Sequence, residues 1–360
     1  MSESEADHVT DQATDGATPG YDRPAVEAWI EANVEGLEPP LQWTQLEGGH
    51  SNLTYLLIDG EGRRAVIRRP PMGELLPKAH DMEREFTIIS GLGPTAVPVP
   101  HALGLCTDLE VTGARFYVMS EVEGRAMYTA EAVEEWLSMP ARRRVGFSFM
   151  ETLAALHAID PEEVGLGELG RRDGYVSRQL RTWYGSWEAS KAAADYDDDR
   201  IHRLHEYLVA NVPDQGPGRV VHGDYGLHNC MLGADGEILA VLDWEIATLG
   251  DPLADFAYAL NGWGDPDDEI KVSHESATTA PGFARRDELA AHYAEITGAD
   301  LGHLDYYRAF NYFKTACILH GVYSRYLEGK KSTEGIDVPG LKERMLAAIE
   351  LAVLRADQLG

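Results

Sequence analysis

Positive charge is what this 360-residue sequence has least of. Lys and Arg number 31 against 60 Asp and Glu, a formal net charge of −29, and only seven of the bases are Lys. A field of that sign repels polyanions and excludes nucleic acid and anionic membrane as partners. Cysteine is nearly absent. Cys106, Cys230 and Cys317 are scattered, with neither a disulfide framework nor a zinc spacing, which points to a reducing compartment and an expected cytoplasmic location. No apolar run approaches the roughly 18 residues of a membrane span. Residues 1–20, MSESEADHVTDQATDGATPG, lack the apolar content for a core or for the h-region of a secretory leader, and read as a disordered acidic tail.

What is present is a globular composition, 44% hydrophobic and broken by regular Gly and Pro, on a chain long enough for two lobes. Pro24 opens a helix whose Val26, Trp29, Ile30 and Val34 share a face. Residues 41–46, 53–58 and 64–68 read as strands separated by turn residues. Residues 78–92 carry Met82, Phe86 and Ile89 at helical spacing, and 115–122 read as another strand. Beyond residue 125 the pattern is helical. Val145, Phe149, Leu153 and Leu156 mark one helix, Ile201, Leu204 and Leu208 another, and 285–297, 304–328 and 338–355 three more. Two short strands interrupt them, one ending in Val220 and Val221 and one in "ILAVLDWE". The class expected is α+β: a small β-rich lobe with one helix over 21–122, then a large mainly helical lobe over 123–360.

Three clusters carry candidate chemistry. "EGGHSNLTYLL" is a glycine-containing turn between strands, weak evidence alone. In "AVIRR", Arg68 lies 17 residues before Glu85 of "MEREF", so a strand cation and a helix carboxylate can pair; such pairs are also common as plain surface ion pairs. "VVHGDYGLHNCML" and "AVLDWE" supply Asp224, Asn229 and Asp243, hard oxygen ligands that suit Mg²⁺ bridging phosphates. A zinc-like site on His222, Asp224 and His228 is the alternative, but no further soft ligand lies nearby in sequence. Cys230 reads as core filler, His157 as a helix-end cap, Asp251 as a turn former and Asp255 as a buried support. Tyr225 divides evenly between substrate contact and packing, and Trp183 and Trp187 default to core.

In this order, strand cation, helix Glu, H-G-D-x-x-x-x-N and D-W-E resemble the aminoglycoside phosphotransferase and choline kinase-like family, small-molecule kinases on the protein-kinase fold. "HGDYGLHN" is similar to the family's catalytic loop and "LDWEIATLGDPLADFAYAL" to its metal-binding segment, and the resemblance runs from about residue 40 to 325. It implies a protein-kinase-like two-lobe fold, with a small antiparallel-sheet lobe that binds nucleotide and a helical lobe for catalysis and the acceptor. It implies ATP and Mg²⁺ as cofactors and a small-molecule hydroxyl as acceptor, in a monomer or homodimer. Asp224 would accept or orient the acceptor's proton, and Asn229 and Asp243 would hold Mg²⁺. Arg68, positioned by Glu85, would contact the α/β-phosphates. Backbone N–H groups of Gly49, His50, Ser51 and Asn52 would cover the triphosphate, and the backbone of Ser120 and Val122 would hold the base.

One departure is Arg68, where the family usually has Lys; the two cations are not interchangeable. It leaves open a pseudokinase that binds nucleotide without transfer, although the intact Asp224, Asn229 and Asp243 favour an enzyme. For the acceptor, "DYDDDR" and "GDPDDE" suit a polyamine, whereas Arg171, Arg172, Arg178 and Arg181 suit an anion. The pattern from "GGHSNLTY" to "RQLRTW" is most similar to the kinase domains fused to some acyl-CoA dehydrogenases and their stand-alone bacterial relatives. That branch implies phosphorylation of a hydroxyacyl-CoA, with aminoglycoside or choline-type acceptors as alternatives.

Overall fold

Alternating core residues, rather than length, define the first strands. The computed structural model describes residues 18–46, 52–72, 80–271, 276–330, 333 and 336–358. Contacts divide them into two compact units: one holds the described residues up to Glu123 together with Leu242–Glu245, the other Gly124–Val241 and those from Ile246 onward. The "LDWE" segment therefore groups with the first unit. The expected acidic tail lies outside the described residues except for its last three positions.

In the first unit, helix α1 (Arg23–Asn33) precedes strands β1 (Gln42–Gln45), β2 (Leu53–Ile58) and β3 (Arg64–Arg69). Helix α2 (Met82–Leu92), strand β4 (Ala102–Cys106), the single turn α3 (Leu109–Thr112) and strand β5 (Phe116–Ser120) follow. The sheet order is β1-β2-β3-β5-β4 and every neighbouring pair is antiparallel. Because side chains alternate, Tyr55, Leu57, Ala65, Ile67, Phe116 and Val118 join Val26 and Ile30 of α1 in one core. Arg68 takes the other face, in register with Tyr117 of β5. Asp22 caps α1 by accepting from the Ala25 N–H, and a Pro stands in its first turn. Gly104 lets α1 approach β4: a Cβ there would lie 3.0 Å from Trp29 Cη2 and 3.1 Å from Val34 Cγ2.

Two expectations need correction here. Strand β4 was not foreseen, because "ALGLC" is short, follows Pro98 and Pro100, and contains a glycine. Helix α2 starts at Met82, where Asp81 accepts from the Arg84 N–H, and Ile88 rather than Phe86 is among its buried residues. Lys78 lies outside the described residues.

The second unit carries helices α4 (Ala130–Trp136), α5 (Met139–Ala158), α6 (Tyr175–Ala194) and α7 (Asp199–Ala210). Short strands β6 (Arg219–Val221), β7 (Cys230–Leu232), β8 (Ile238–Val241) and β9 (Thr248–Gly250) come next. Helices α8 (Pro252–Gly262), α9 (Arg286–Thr297), α10 (Leu304–Leu327) and α11 (Val338–Asp357) complete it. Strand β6 pairs with β9 and β7 with β8, both antiparallel, so residues 222–229 form the link between two ribbons. Strand β9 escaped sequence reading, whereas the β7–β8 pair matches the hairpin-like return that the sequence suggests between Asn229 and Asp243. Val145, Phe149, Leu153 and Leu156 are all buried, and Trp187, Leu204, Phe310, Phe313 and Ile349 belong to the main core. Among the described residues no helix is long and apolar enough to cross a membrane.

Candidate active site

The link after β6 begins with a glycine that needs a positive φ. Gly223 sits at φ +83, a conformation L side chains rarely adopt, and a Cβ there would also press on Ile246 at 3.3 Å. The turn is held from below by a carboxylate: Asp255 of α8 accepts from the N–H groups of His222 and Gly223, each at 2.8 Å. Asp255 in turn meets His157 Nε2 at 3.3 Å, and His157 Nδ1 meets the Tyr293 hydroxyl at 2.8 Å. His157 is thus a buried bracket of the loop rather than a helix cap. From the other side Lys314 of α10, itself buried, donates to the Gly223 carbonyl at 3.1 Å. Burial lowers the Lys314 pKa, and the fields of Asp255 and Asp224 oppose that.

This scaffold presents Asp224. Its side chain is 36% exposed. Tyr258 of α8 donates to Oδ1, Asn229 Nδ2 donates to Oδ2 at 3.3 Å and to the Asp224 carbonyl at 3.0 Å, and His228 Nε2 stands 3.5 Å from Oδ2. Burial alone would raise the Asp224 pKa, but the His228 and Tyr258 hydrogen bonds outweigh it and hold the carboxyl down at about 2. Asn229 commits its amide nitrogen to Asp224, so its oxygen is the atom a cation would take. His222 is buried and its Nδ1 accepts from the Asp224 N–H at 3.3 Å. Tyr225 packs, its hydroxyl donating to the Phe149 carbonyl at 2.8 Å, and Cys230 is buried as a core residue. Among the described residues no three or more His, Cys, Asp or Glu side chains converge on a metal site.

In the first unit a second group forms around Arg68. Its Nη1 lies 3.4 Å from Glu85 Oε2 and its Nη2 3.1 Å from Asp243 Oδ1. With its amide oxygen turned toward Arg68, Asn52 accepts from Nε at 2.9 Å and Nη2 at 2.6 Å and donates to His80 Nδ1 at 3.0 Å. The Tyr117 hydroxyl donates to Glu85 at 3.0 Å. Burial pushes Glu85 up to about 7 against the pull of Arg68 and Tyr117. Burial also works against the charge of Arg68, yet the fields of Tyr117, Glu85 and Asp243 raise it above its ordinary value. Asp243 adopts φ 62, left-handed backbone that few non-glycine residues occupy.

The remaining expected residues divide. Gly49, His50 and Ser51 lie outside the described residues. The Ser120 N–H is committed to the His101 carbonyl at 2.9 Å, and Ser120 pairs with Ala65 in the sheet, whereas Val122 lies in irregular chain just past β5.

Comparison with known proteins fixes the affiliation. A family model described as the phosphotransferase enzyme family matches residues 42–298. The chain belongs to that family. It is 37% identical over 297 residues to acyl-CoA dehydrogenase family member 11 of Gallus gallus, an alignment that takes in 81% of this chain and 37% of the relative. The chain thus spans about two-fifths of that relative's length. A crystal structure from Ralstonia eutropha JMP134, provisionally named an aminoglycoside phosphotransferase, superposes with a TM-score of 0.79 at 29% identity, covering 94% of this chain and 99% of that one. Spectinomycin phosphotransferase, solved with ADP and spectinomycin, shares the fold with a TM-score of 0.60 at 13% identity, over 92% and 98% of the two chains. The chain has the kinase-like fold of the aminoglycoside phosphotransferases.

Beside the Asp224 loop lies a cavity of about 480 Å³, lined by Tyr225, Gly226, Leu227 and His228 of the loop and by Tyr258. The basic run expected to serve an anionic acceptor is not there. Arg172 pairs with Glu162 at 2.6 Å and Arg178 donates to the Arg171 carbonyl at 2.8 Å, both local contacts. Arg181 lines a different cavity, with Tyr184 and His205. The acidic runs are also largely structural: Asp197 accepts from Trp187 Nε1 at 2.9 Å, and Asp198 caps α7. Tyr258 and Lys314 were missed in the sequence because nothing in their local spacing marks them; they reach the loop only through helix packing.

Proposed function

We propose that this chain uses Mg²⁺ and ATP to phosphorylate a hydroxyl of a small molecule, and that the acceptor is a hydroxyacyl-CoA. The observation that carries the reading is Asp224: an ionised, partly exposed carboxylate fixed by three neighbours at the edge of a cavity. Phosphoryl transfer asks for alignment and charge neutralisation more than for covalent help. The acceptor oxygen bonds to the γ-phosphorus as the bond to the β-phosphate oxygen breaks, and the hydroxyl proton leaves. With a pKa near 2 Asp224 is a weak base, so it orients the hydroxyl by accepting its hydrogen bond and takes the proton only once the oxygen has become acidic.

The donors present fit a hard cation. Asn229 has an amide oxygen to offer and Asp243 a second carboxylate oxygen beside the one facing Arg68, with no sulfur or imidazole among them. When bound, Mg²⁺ would neutralise charge on the phosphates. Arg68, steadied by Glu85 and Asn52, would meet phosphate oxygens. Support for the acyl-CoA class comes from the 37%-identical segment within a protein named as an acyl-CoA dehydrogenase family member.

The Arg68–Asp243 bond favours one second reading, a pseudokinase in which the cation occupies a would-be metal ligand. Initial rates with Mg-ATP and a 4-hydroxyacyl-CoA, choline or kanamycin separate the possibilities. Turnover of the acyl-CoA alone supports the proposal, turnover only of an amine-bearing acceptor overturns the acceptor class, and Mg-ATP binding with no turnover of any leaves the pseudokinase.

A further inference from the structure

The cavity beside Asp224 is cationic in an otherwise acidic chain. Four cations, Lys271, Arg286, Arg308 and Arg355, line it against one carboxylate, Asp268. Two of these have carboxylate partners: Arg286 pairs with Asp268 and, at 3.7 Å, with Asp265, and Arg355 with Asp305 at 3.2 Å. Arg308 differs. It is 7% exposed, its Nε donates to Asn261 Oδ1 at 2.9 Å, and its Nη2 is buried with no hydrogen-bond partner. Among the described residues it forms no ion pair. Burial depresses its basicity and the charges of Arg355 and Arg286 depress it further, against a partial opposing pull from Tyr312. A buried charge is normally paired, and a guanidinium with an open edge is a fork shaped for phosphate or carboxylate.

We propose that Arg308, flanked by Arg286, Arg355 and Tyr312, is an anion subsite in the acceptor cavity, taking a phosphate or carboxylate borne by the molecule whose hydroxyl is phosphorylated. Its role as an acceptor subsite rests on the kinase reading above; its affinity for an anion does not. The two functions are joined by the same helices. On α8, Asn261 holds Arg308 and lies three residues from Tyr258, which holds Asp224, so both face one side of the helix roughly one turn apart. On α10, Arg308 precedes Lys314, which holds the Gly223 carbonyl. An acceptor anchored by its anion at Arg308 is thereby referred to the same two helices that fix Asp224. The cavity's cations also disfavour cationic aminoglycosides.

The test uses the full chain without nucleotide. Calorimetric titration with 4′-phosphopantetheine against uncharged pantetheine probes a phosphate source, and 4-hydroxypentanoate against 1,4-pentanediol probes a carboxylate source. At least one anionic member should bind on the order of tenfold more tightly than its neutral twin, as expected for charge-assisted hydrogen bonds. Arg308→Gln should remove that preference and Arg308→Lys keep part of it. Arg355→Gln, on a side chain 24% exposed, should weaken it without threatening the fold. The proposal is overturned if neither anion beats its twin, or if the preference survives Arg355→Gln and every Arg308 variant that folds. Mg-ATP turnover is scored separately: a chain that prefers the anion but transfers no phosphate keeps the subsite and loses the kinase reading, and the reverse outcome does the opposite.

Discussion

Two carboxylates in this chain are driven in opposite directions by their surroundings. Asp224 is held at about 2 because hydrogen bonds from His228 and Tyr258 outweigh its partial burial, and Glu85 is raised to about 7 because its burial outweighs Arg68 and Tyr117. The first is therefore ionised throughout any working range, and its loss removes an oriented acceptor for the hydroxyl. Asp224→Asn should lower kcat by roughly 10²–10⁴-fold while the affinity for Mg-ATP, measured by calorimetry, stays within about twofold. A kcat close to that of the unaltered chain would remove Asp224 from the mechanism. For Glu85 the sign runs the other way. Between its ordinary 4.5 and about 7 the folded chain keeps a proton that the unfolded chain has released, so stability falls as pH rises through that window. The side chain is 1% exposed, and the loss should reach roughly 3 kcal/mol by about pH 8. Urea unfolding at about pH 5 and pH 8 should show that slope. Glu85→Gln should flatten it, and an unchanged slope would show that the proton resides elsewhere.

At the scale of elements, the catalytic turn is only as firm as the helices under it. Asp255, at the N-terminal end of α8, is the acceptor for two buried N–H groups of a turn that already contains a left-handed glycine. Asp255→Ala would leave both donors without a partner, at about 1–3 kcal/mol each. The variant should lose roughly 2–5 kcal/mol in urea unfolding, together with most of its turnover. If stability falls but kcat is retained, the turn does not depend on this carboxylate for its shape. The same arrangement explains what the sequence revealed and what it hid. Long helices such as α5 and α7 were legible because buried residues recur every three or four positions, and the Asp224–Asn229 loop was legible because its polar groups are adjacent in the chain. Strand β9 is too short to show a period. Tyr258, Arg308 and Lys314 sit 34, 84 and 90 positions beyond Asp224, so only helix packing makes them neighbours of the loop or its cavity. His157 looked like a helix-end cation for the same reason: its partners, Asp255 and Tyr293, are far along the chain. Within the Arg171–Arg181 run, Arg172 and Arg178 are taken up by Glu162 and main-chain carbonyls, which local density of charge does not show.

Across the whole molecule, the net charge of −29 opposes the local attraction of the Arg308 subsite for an anion. The two act over different distances. The screening length is roughly 30 Å at 0.01 M salt and roughly 10 Å at 0.1 M, so added salt first removes the diffuse repulsion from surface acids and only later weakens contact-range pairing with a buried guanidinium. For an anionic acceptor at saturating Mg-ATP, kcat/KM should therefore rise severalfold between about 0.01 and 0.1 M KCl and decline toward about 1 M. A cationic acceptor should show the mirror image, a fall between about 0.01 and 0.1 M as the long-range attraction is screened and a recovery toward about 1 M as the repulsion from the local cations weakens. Saturating nucleotide keeps the nucleotide's own charge out of the comparison. A monotonic fall for the anionic acceptor would mean that the cations around Arg308 dominate the approach at every ionic strength. The acidic surface would then govern the chain's own repulsion but not what reaches the site.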